Sequence, residues 1–528
     1  MSDPFSAAAL LSALSAQLAA RDAERDAAQA ARDAERDAAH ARATAALAAE
    51  LARVREALRA LGGGAPLPSS KTYAAAGSEV LEALHKLRAV AVLAAPPKDA
   101  SDEELAPLAT PAALAALRAC KRESELVEAA TPLLRAARGF GNAAADPCAQ
   151  LLVNSEDIKW LDALHAPLPH DQHKKPDLFA TWEPLWSGRH EQGRGAVGRL
   201  AHRALQLDGC AREFYEGKFG DGSLAAIDFG QLVDYHSRVF GDVRGALFNA
   251  REVWLYRSLR ERPLCLIKMT WDAAGSRAAL RRFFEDDAPP EPPLVPLLRH
   301  LLRSLNAAPV RVPARNGNAT ALLGVGGTAR VFCVRRVGDE KLLALKAALG
   351  VSRGDLEYEF NALGAAREAG APVAAVVPGS LVSFTDAAGR HVGGGFLLSD
   401  VLTPAPAADS GPRVAAFFSA LRALHACGFA HGDARVPNLL AKSPADGAAE
   451  RLVWVDLRAA ASGPGADALA AAQRADVFEL ARSVLAAAGR GARSLPAGFE
   501  AAVAQVPAGG EAAYAAVAEG VWRAQSGL

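Results

Sequence analysis

Several side chains far apart in the sequence could serve one reaction. The stretch ALHACGFAHGDARVPNLL (423–440) reads as a helix running into a short loop with Asp433, Asn438 five positions on, and the apolar pair Leu439 and Leu440 behind it. RLVWVDLR (451–458) reads as an apolar strand ending in Asp456. KLLALKAAL (341–349) is an apolar strand holding Lys346, and a lysine embedded among Ala344, Leu345 and Ala347 needs an anionic partner if it is buried. Phosphate oxygens or a helix carboxylate can supply one. DLEYEFNALGAA (355–366) reads as such a helix; Glu359, just before Phe360 and Leu363, is the preferred carboxylate, with Glu357 left open. LLGVGGTARVFCV (322–334) reads as strand, glycine turn, strand. Gly324, Gly326 and Gly327 let backbone amides approach a phosphate, because no Cβ intervenes. Phosphoryl transfer needs a carboxylate near the acceptor hydroxyl and oxygen ligands for Mg²⁺ at the phosphates. Asp433 suits the first need, and Asn438 and Asp456 the second. Each fragment alone is common by chance; their order in one chain carries the reading.

In that order, residues 322 to about 485 resemble the protein-kinase superfamily. The G-x-G-x-x-G-x-V loop corresponds to GVGGTARV, from Gly324 to Val331, with Ala329 in the third glycine position. V-A-I-K corresponds to L-A-L-K, ending on Lys346, and H-R-D-x-x-x-x-N to HGDARVPN, with His431, Asp433 and Asn438. Arg435 stands two places after the aspartate, where Ser/Thr kinases carry a lysine. FLLSD (396–400) resembles the strand entering the adenine-holding hinge, which points to Ser399 and Asp400. DVFELARSVL (476–485) resembles the helix whose aspartate, here Asp476, buttresses the catalytic loop.

The resemblance implies a bilobal domain that uses ATP and Mg²⁺ to phosphorylate Ser/Thr of proteins. Asp433, Lys346 and Arg435 would be catalytic. Gly324, Gly326, Gly327, Val331, Lys346, Glu359, Ser399 and Asp400 would contact ATP, and Asn438 and Asp456 would hold metal. The departures are Asp456-Leu457-Arg458 in place of D-F-G, HGD in place of HRD, and only about 20 residues from Asp456 to Asp476. That span leaves little room for a peptide-binding platform or for control by activation-loop phosphorylation. A small-molecule acceptor, as in aminoglycoside-phosphotransferase-like relatives that use HGD, and an ATP-binding pseudokinase scaffold are the alternatives.

A second constellation precedes this one. KKPDLFATW (174–182) reads as a strand carrying Asp177, REFYEGKFGDG (212–222) as a strand with Glu216 and Lys218, and DFGQLVDYHSRVF (228–240) as an amphipathic helix containing Gln231. Strands follow at ALFNA, VWLYRSL and PLCLIKM. Two carboxylates and an amine can surround one divalent metal, the lysine positioning or activating the attacking water. Residues 120 to 272 resemble the PD-(D/E)xK restriction-endonuclease-like fold, which implies a metal-dependent nuclease and a nucleic-acid partner. A further glutamate ligand could come from KRESELVEAATPLL (121–134), with Glu123, Glu125 and Glu128 all open. The order of nuclease-like and then kinase-like domain is similar to that of fungal-type kinases and Crinkler-type effectors. It leaves open a nuclease whose kinase-like part is regulatory.

The elements that must position these residues fall into three regions of an α+β multidomain chain. Residues 1–62 lack glycine and proline after Pro4 until Gly62, and read as one long helix. Leu47, Leu51, Val54, Leu58 and Leu61 form a heptad seam that predicts self-association as a coiled coil. RDAERDAA, at 21–28 and 32–39, repeats at eleven residues, which favours a straight or slightly right-handed superhelix. GGGAPLPSS (62–70) reads as a linker, 72–284 as an α/β domain, and 295–528 as the kinase-like domain after the break EDDAPPEPP (285–293). The 59 basic and 59 acidic residues give zero net charge, which argues against a globally basic nucleic-acid binder. Six scattered cysteines without C-x-x-C spacing suggest neither a zinc site nor a disulfide framework. His165, His170 and His173 lie in a proline-broken loop and read as solvated. No apolar run approaches the ~18–20 residues of a membrane span, and the N-terminus lacks a basic leader segment. The expectation is an intracellular protein, cytoplasmic or nuclear.

Overall fold

The computed structural model describes residues 90–93, 101–140, 148–154, 175–185, 209–239 (without 221), 243–258, 265–285, 291–313, 319–442, 451–458, 465–488 and 498–526, and isolated positions elsewhere. The expected N-terminal helix with its leucine seam, the linker and the histidine loop lie outside the described residues. The chain divides after Ser69, and the unit Ser70–Leu528 is a mixed α+β body. No helix of the described residues is long and apolar enough to cross a membrane.

The first part of this unit is built on a seven-stranded sheet in the order β1-β7-β6-β5-β4-β3-β2. The strands are β1 (Val90–Val92), β2 (Gln150–Asn154), β3 (Leu178–Trp182), β4 (Glu213–Gly217), β5 (Val243–Phe248), β6 (Glu252–Ser258) and β7 (Cys265–Thr270). The central strands β3, β4 and β5 are buried at every position, so apolar residues occupy both faces. Helices supply the cover. Two short ones, α1 (Asp102–Leu105) and α2 (Pro111–Ala119), start at hydroxyl caps, Ser101 and Thr110, whose side chains accept first-turn amides. Helices α3 (Glu123–Arg138) and α5 (Ser276–Glu285) share a core with Tyr215, Phe248 and Leu255 on one face. Helix α4 (Ala226–Ser237) packs Phe229, Leu232 and Tyr235 with Phe214, Leu247 and Trp254 on the other. The path is helix α3, an antiparallel meander β2–β3–β4, helix α4, then β5 parallel to β4.

Helix α6 (Leu294–Ser304) joins this body to the next. Its Leu294, Leu297, Leu298, Leu301 and Leu302 recur at helical spacing and are buried. They lie in the same apolar cluster as Phe214 and Trp254 of the first sheet and Phe332, Leu345 and Leu397 of the second. That second sheet has the order β11-β12-β13-β15-β14, with β8 (Ala307–Pro309) also on β12. A two-residue pair, β9 (Val312–Pro313) and β10 (Ala319–Thr320), stands apart. The strands are β11 (Leu322–Val325), β12 (Ala329–Arg336), β13 (Leu342–Leu349), β14 (Val382–Thr385) and β15 (His391–Leu398), all antiparallel. Strand period decides which side faces the cleft. Leu343, Leu345 and Ala347 of β13 join the α6 cluster, whereas Ala344 and Ala348, flanking Lys346, join the cluster shared with the C-terminal helices. Helix α7 (Arg353–Glu368), capped by Ser352, lies against β15.

The remainder is mostly helical. It comprises α8 (Gly411–Ala426), α9 (Gly465–Ala487), α10 (Phe499–Ala504) and α11 (Val506–Ser526) around a small sheet of β16 (Thr403–Pro404), β17 (Leu439–Lys442) and β18 (Arg451–Trp454). Phe417, Leu421, Leu480, Val484, Val517 and Val521 form its buried core.

Candidate active site

The glycine turn between β11 and β12 closes with Gly326 N–H donating to the Ala329 carbonyl at 2.8 Å. Two strands away, β13 presents Lys346 beside Phe396 of β15 and Val331 of β12. The Lys346 ammonium donates to Glu359 of α7 at 2.5 Å and to Asp456. Glu357, two residues earlier on α7, pairs instead with Arg353 on the exposed side. Burial alone would lower the Lys346 pKa, but Asp456 and Glu359 reverse that and hold the ammonium above its ordinary value. One ammonium thus serves two carboxylates. Burial and the neighbouring Asp456 raise the Glu359 pKa; burial also pushes Asp456 up, but Lys346 outweighs it and keeps Asp456 below the usual range.

Asp456 follows β18 with φ of +59°, a left-handed conformation that aspartate tolerates better than most residues. It faces the loop that carries Asp433. That loop is fixed from below. Asp476 of α9 accepts the backbone N–H of His431 at 2.5 Å and of Gly432 at 2.8 Å. Gly432 has φ of +77°, which a side chain would strain. The His431 ring is buried, which lowers its pKa. Its Nδ1 accepts the Asp433 N–H at 3.2 Å, so the neutral ring carries its proton on Nε2 and donates to the Val455 carbonyl at 2.8 Å. Asn438 Nδ2 donates to the Asp433 carbonyl at 2.9 Å and to its carboxylate at 3.1 Å, which leaves the amide oxygen as the atom that can take a cation. Arg435 forks onto the Asp433 carboxylate at 2.5 and 2.8 Å.

Lys346, Asp433, Asn438 and Asp456 all line one cleft of about 590 Å³ between the second sheet and the helical part. Gly324, Gly326, Gly327, Val331, Arg435 and Asp400 line it too. The volume lies in the usual range for small-molecule sites. Ser399 and Glu359 are not among its lining residues: the Ser399 N–H donates to the Ala375 carbonyl and its hydroxyl to Asp400, and Glu359 stands behind Lys346. Asp400 in turn accepts from Lys442 at 2.8 Å. Three features escaped the sequence reading. Arg330 folds back over the glycine turn, donating to the Gly326 carbonyl at 2.6 Å, and lines the cleft. Arg458 lines it as well, 3.8 Å from Asp433. His425 of α8 bonds Asp476 at 3.0 Å and Tyr514 of α11, tying the loop's support to the last helix.

The second constellation also converges. Asp177 lies just before β3, and its carboxylate accepts the Gly217 N–H at 2.8 Å. Glu216, near the end of β4, accepts from Lys218 at 2.7 Å and from the Asp177 N–H at 3.4 Å. Of the three open glutamates, Glu123, at the start of α3, stands 4.0 Å from Lys218, whereas Glu125 binds Arg122. Gln231 donates to Tyr235 at 2.7 Å, and Tyr235 donates to the Lys175 carbonyl beside this group. Burial, eased by the Gly217 amide, raises Asp177 to about 6. Burial and the nearby Asp177 raise Glu216 to about 8. Among the described residues, no three His, Cys, Asp or Glu side chains form a ready metal cage.

No protein-family model matches the chain, and no curated protein matches it. Solved structures do. The Mycobacterium tuberculosis PknI kinase domain (C20A mutant) is 19% identical, with 41% of this chain and 95% of that one covered, at a TM-score of 0.27. WaaP in complex with acyl carrier protein is 17% identical, with 38% and 88% covered, at a TM-score of 0.24.

Proposed function

We propose that the chain is an ATP- and Mg²⁺-dependent phosphotransferase, with the hydroxyl of Ser/Thr in a protein as the acceptor that the kinase resemblance implies. The single observation behind this reading is the convergence of Lys346, Asp433, Asn438 and Asp456 on one cleft beneath a glycine turn. Lys346, oriented by Glu359, contacts the α- and β-phosphates, while the turn's amides cover them. Asp433 accepts the proton of the acceptor hydroxyl. The acceptor oxygen bonds to the γ-phosphorus, the bond to the bridging oxygen breaks, and ADP departs with its electron pair. The Asn438 oxygen and the Asp456 carboxylate fit a hard cation, because two carboxylates here share one ammonium. Bound Mg²⁺ would neutralise phosphate charge. Asp433→Ala is expected to cut transfer of γ-phosphate from labelled ATP by about 10²–10⁴-fold while ATP still binds. Equal turnover in the two proteins would end this reading. Mg²⁺-dependent ATP binding without any turnover would favour a pseudokinase scaffold.

A second reading rests on the separate cluster of Asp177, Glu216, Lys218 and Glu123. Its carboxylates suit one divalent metal, and its lysine suits a metal-assisted hydrolysis of nucleic acid. DNA cleavage with Mg²⁺ or Mn²⁺ that vanishes in Glu216→Ala would support it; no cleavage under either metal would remove it.

A further inference from the structure

The Asp433 carboxylate is bracketed by two guanidinium groups. Arg435 forks onto both of its oxygens, and Arg458 stands 3.8 Å from Oδ2. Asn438 adds a third donor at 3.1 Å. A carboxylate with its oxygens taken by so many donors is shielded from an incoming hydroxyl. Yet the two arginines are not buried to keep it so: their side chains are 46% and 67% exposed, against 12% for Asp433. Arg458 is held at the backbone, where its N–H donates to the His431 carbonyl at 2.9 Å, so its long, exposed side chain extends along the cleft from a fixed root. Lys346 and Arg330 lie on the opposite, glycine-turn side, where they can meet a triphosphate. The pair around Asp433 is therefore surplus to the charge that the phosphates of one nucleotide need on that side. Arginine forks exchange one oxyanion for another readily, since carboxylate and phosphate offer the same two-oxygen edge.

From this we infer that the acceptor carries a phosphate or carboxylate group near the hydroxyl that is phosphorylated, and that Arg458, with Arg435, binds that group. Binding draws the guanidinium groups off Asp433 and uncovers the carboxylate only when an acceptor is present. Transfer to water is then suppressed in the empty site. The proposal rests on the phosphotransferase reading and narrows its acceptor class to oxyanion-bearing alcohols.

The test uses the full chain loaded with Mg²⁺ and the non-hydrolysable analogue AMP-PNP, so that the triphosphate position is filled. Inorganic phosphate, and acetate in a parallel arm, are then titrated by calorimetry. We expect at least one of the two anions to bind the loaded protein with a millimolar Kd. Arg458→Gln should weaken that binding by tenfold or more, Arg458→Lys by less, and AMP-PNP affinity should change by under threefold in both. Which anion binds tells phosphate-bearing from carboxylate-bearing acceptors. If AMP-PNP binds but neither anion does, or if Arg458→Gln leaves anion binding unchanged, the acceptor proposal fails and the nucleotide site stands. A tenfold loss of AMP-PNP affinity in Arg458→Gln would place Arg458 on the nucleotide instead and also overturn it. If AMP-PNP itself does not bind, the phosphotransferase reading falls with it.

Discussion

Lys346 and Asp456 are bonded to each other although 110 positions separate them in the chain. The bond links the second sheet to the segment after β18 and so ties the two walls of the cleft. Glu359 completes the group from α7. Removing any one member changes the charge left behind, which makes the trio a sensitive reporter of the site.

Lys346→Met should leave two buried carboxylates facing each other without a cation. Breaking a buried pair by deleting one partner typically costs ~3–5 kcal/mol. Urea denaturation at pH 8 should show a loss of that order, with nucleotide binding weakened as well. The loss should shrink as pH falls, because a protonated Glu359 no longer repels Asp456. Lys346→Met combined with Asp456→Asn should recover part of it. A single variant as stable as the parent at pH 8 would refute the trio's energetic role.

Glu216 gives a pH test of the second cluster. Its pKa is raised from 4.5 to about 8, so the folded chain holds a proton that the unfolded chain has lost across that window. Metal-free stability should therefore fall as pH rises from about 4.5 to 8, by ~1.4 kcal/mol per unit. Asp177, raised to about 6, adds to the fall at the lower end of that range. A divalent cation competes with those protons. Mn²⁺ should raise the Tm little at pH 6 and considerably more at pH 8.5. Glu216→Gln should be more stable than the parent without metal at pH 8.5 and should lose the Mn²⁺ increment. A Mn²⁺ increment independent of pH, or retained in the variant, would detach the metal from this cluster.

Much of this geometry was legible because period and spacing carry it. The alternation through β13 puts Lys346 on the face away from Leu343 and Leu345, and HGDARVPN fixes the separation of Asp433 and Asn438 within one loop. Likewise D-L-F and E-G-K stand at the ends of adjacent strands. What escaped depends on contacts between distant segments. Nothing local says that Arg330 folds over its own turn, that Arg458 leans toward Asp433, or that Tyr514 reaches His425. The choice of Glu123 over Glu125 was likewise undecidable, because it turns on where helix α3 starts relative to β4. The leucines of α6 announce an amphipathic helix but not that its stripe is buried in a cluster common to both sheets.

His236 predicts acid sensitivity. Its ring is buried on α4, stacked on Tyr256 with centroids 4.8 Å apart, and neither ring nitrogen has a hydrogen-bond partner among the described residues. Burial lowers its pKa from 6.5 to about 3. The unfolded chain then takes up a proton below 6.5 that the folded chain refuses. Stability should be intact above pH 6.5 and fall by ~1.4 kcal/mol per unit toward pH 3, about 2 kcal/mol by pH 5. His236→Phe should remove that component and move the acid-unfolding midpoint downward. An unchanged midpoint would show that the ring finds a partner or a proton in the folded state.

Two glycines should respond in opposite directions to the same added methyl group. Gly395 lies in β15, where a Cβ would collide with the Lys346 carbonyl oxygen and come within 2.8 Å of Leu301 Cδ1. The close approach of β13 and α6 to this strand is what the missing side chain permits. Gly395→Ala must push β13 or α6 away, at a cost of roughly 1–3 kcal/mol or more, and it should shift Lys346 and weaken nucleotide binding. Gly364 sits inside helix α7 on the other side of the same sheet. There the nearest atom to an added Cβ is Val376 Cγ2 at 3.9 Å, an ordinary contact. Gly364→Ala should therefore stabilise the chain by ~0.5–1 kcal/mol, because alanine loses less backbone freedom in a helix. Thermal unfolding of the pair, with nucleotide titration of each, separates the two effects. A neutral Gly395→Ala would mean that α6 is not pressed against the strand beside Lys346, and that the two sheets do not share one tightly packed core.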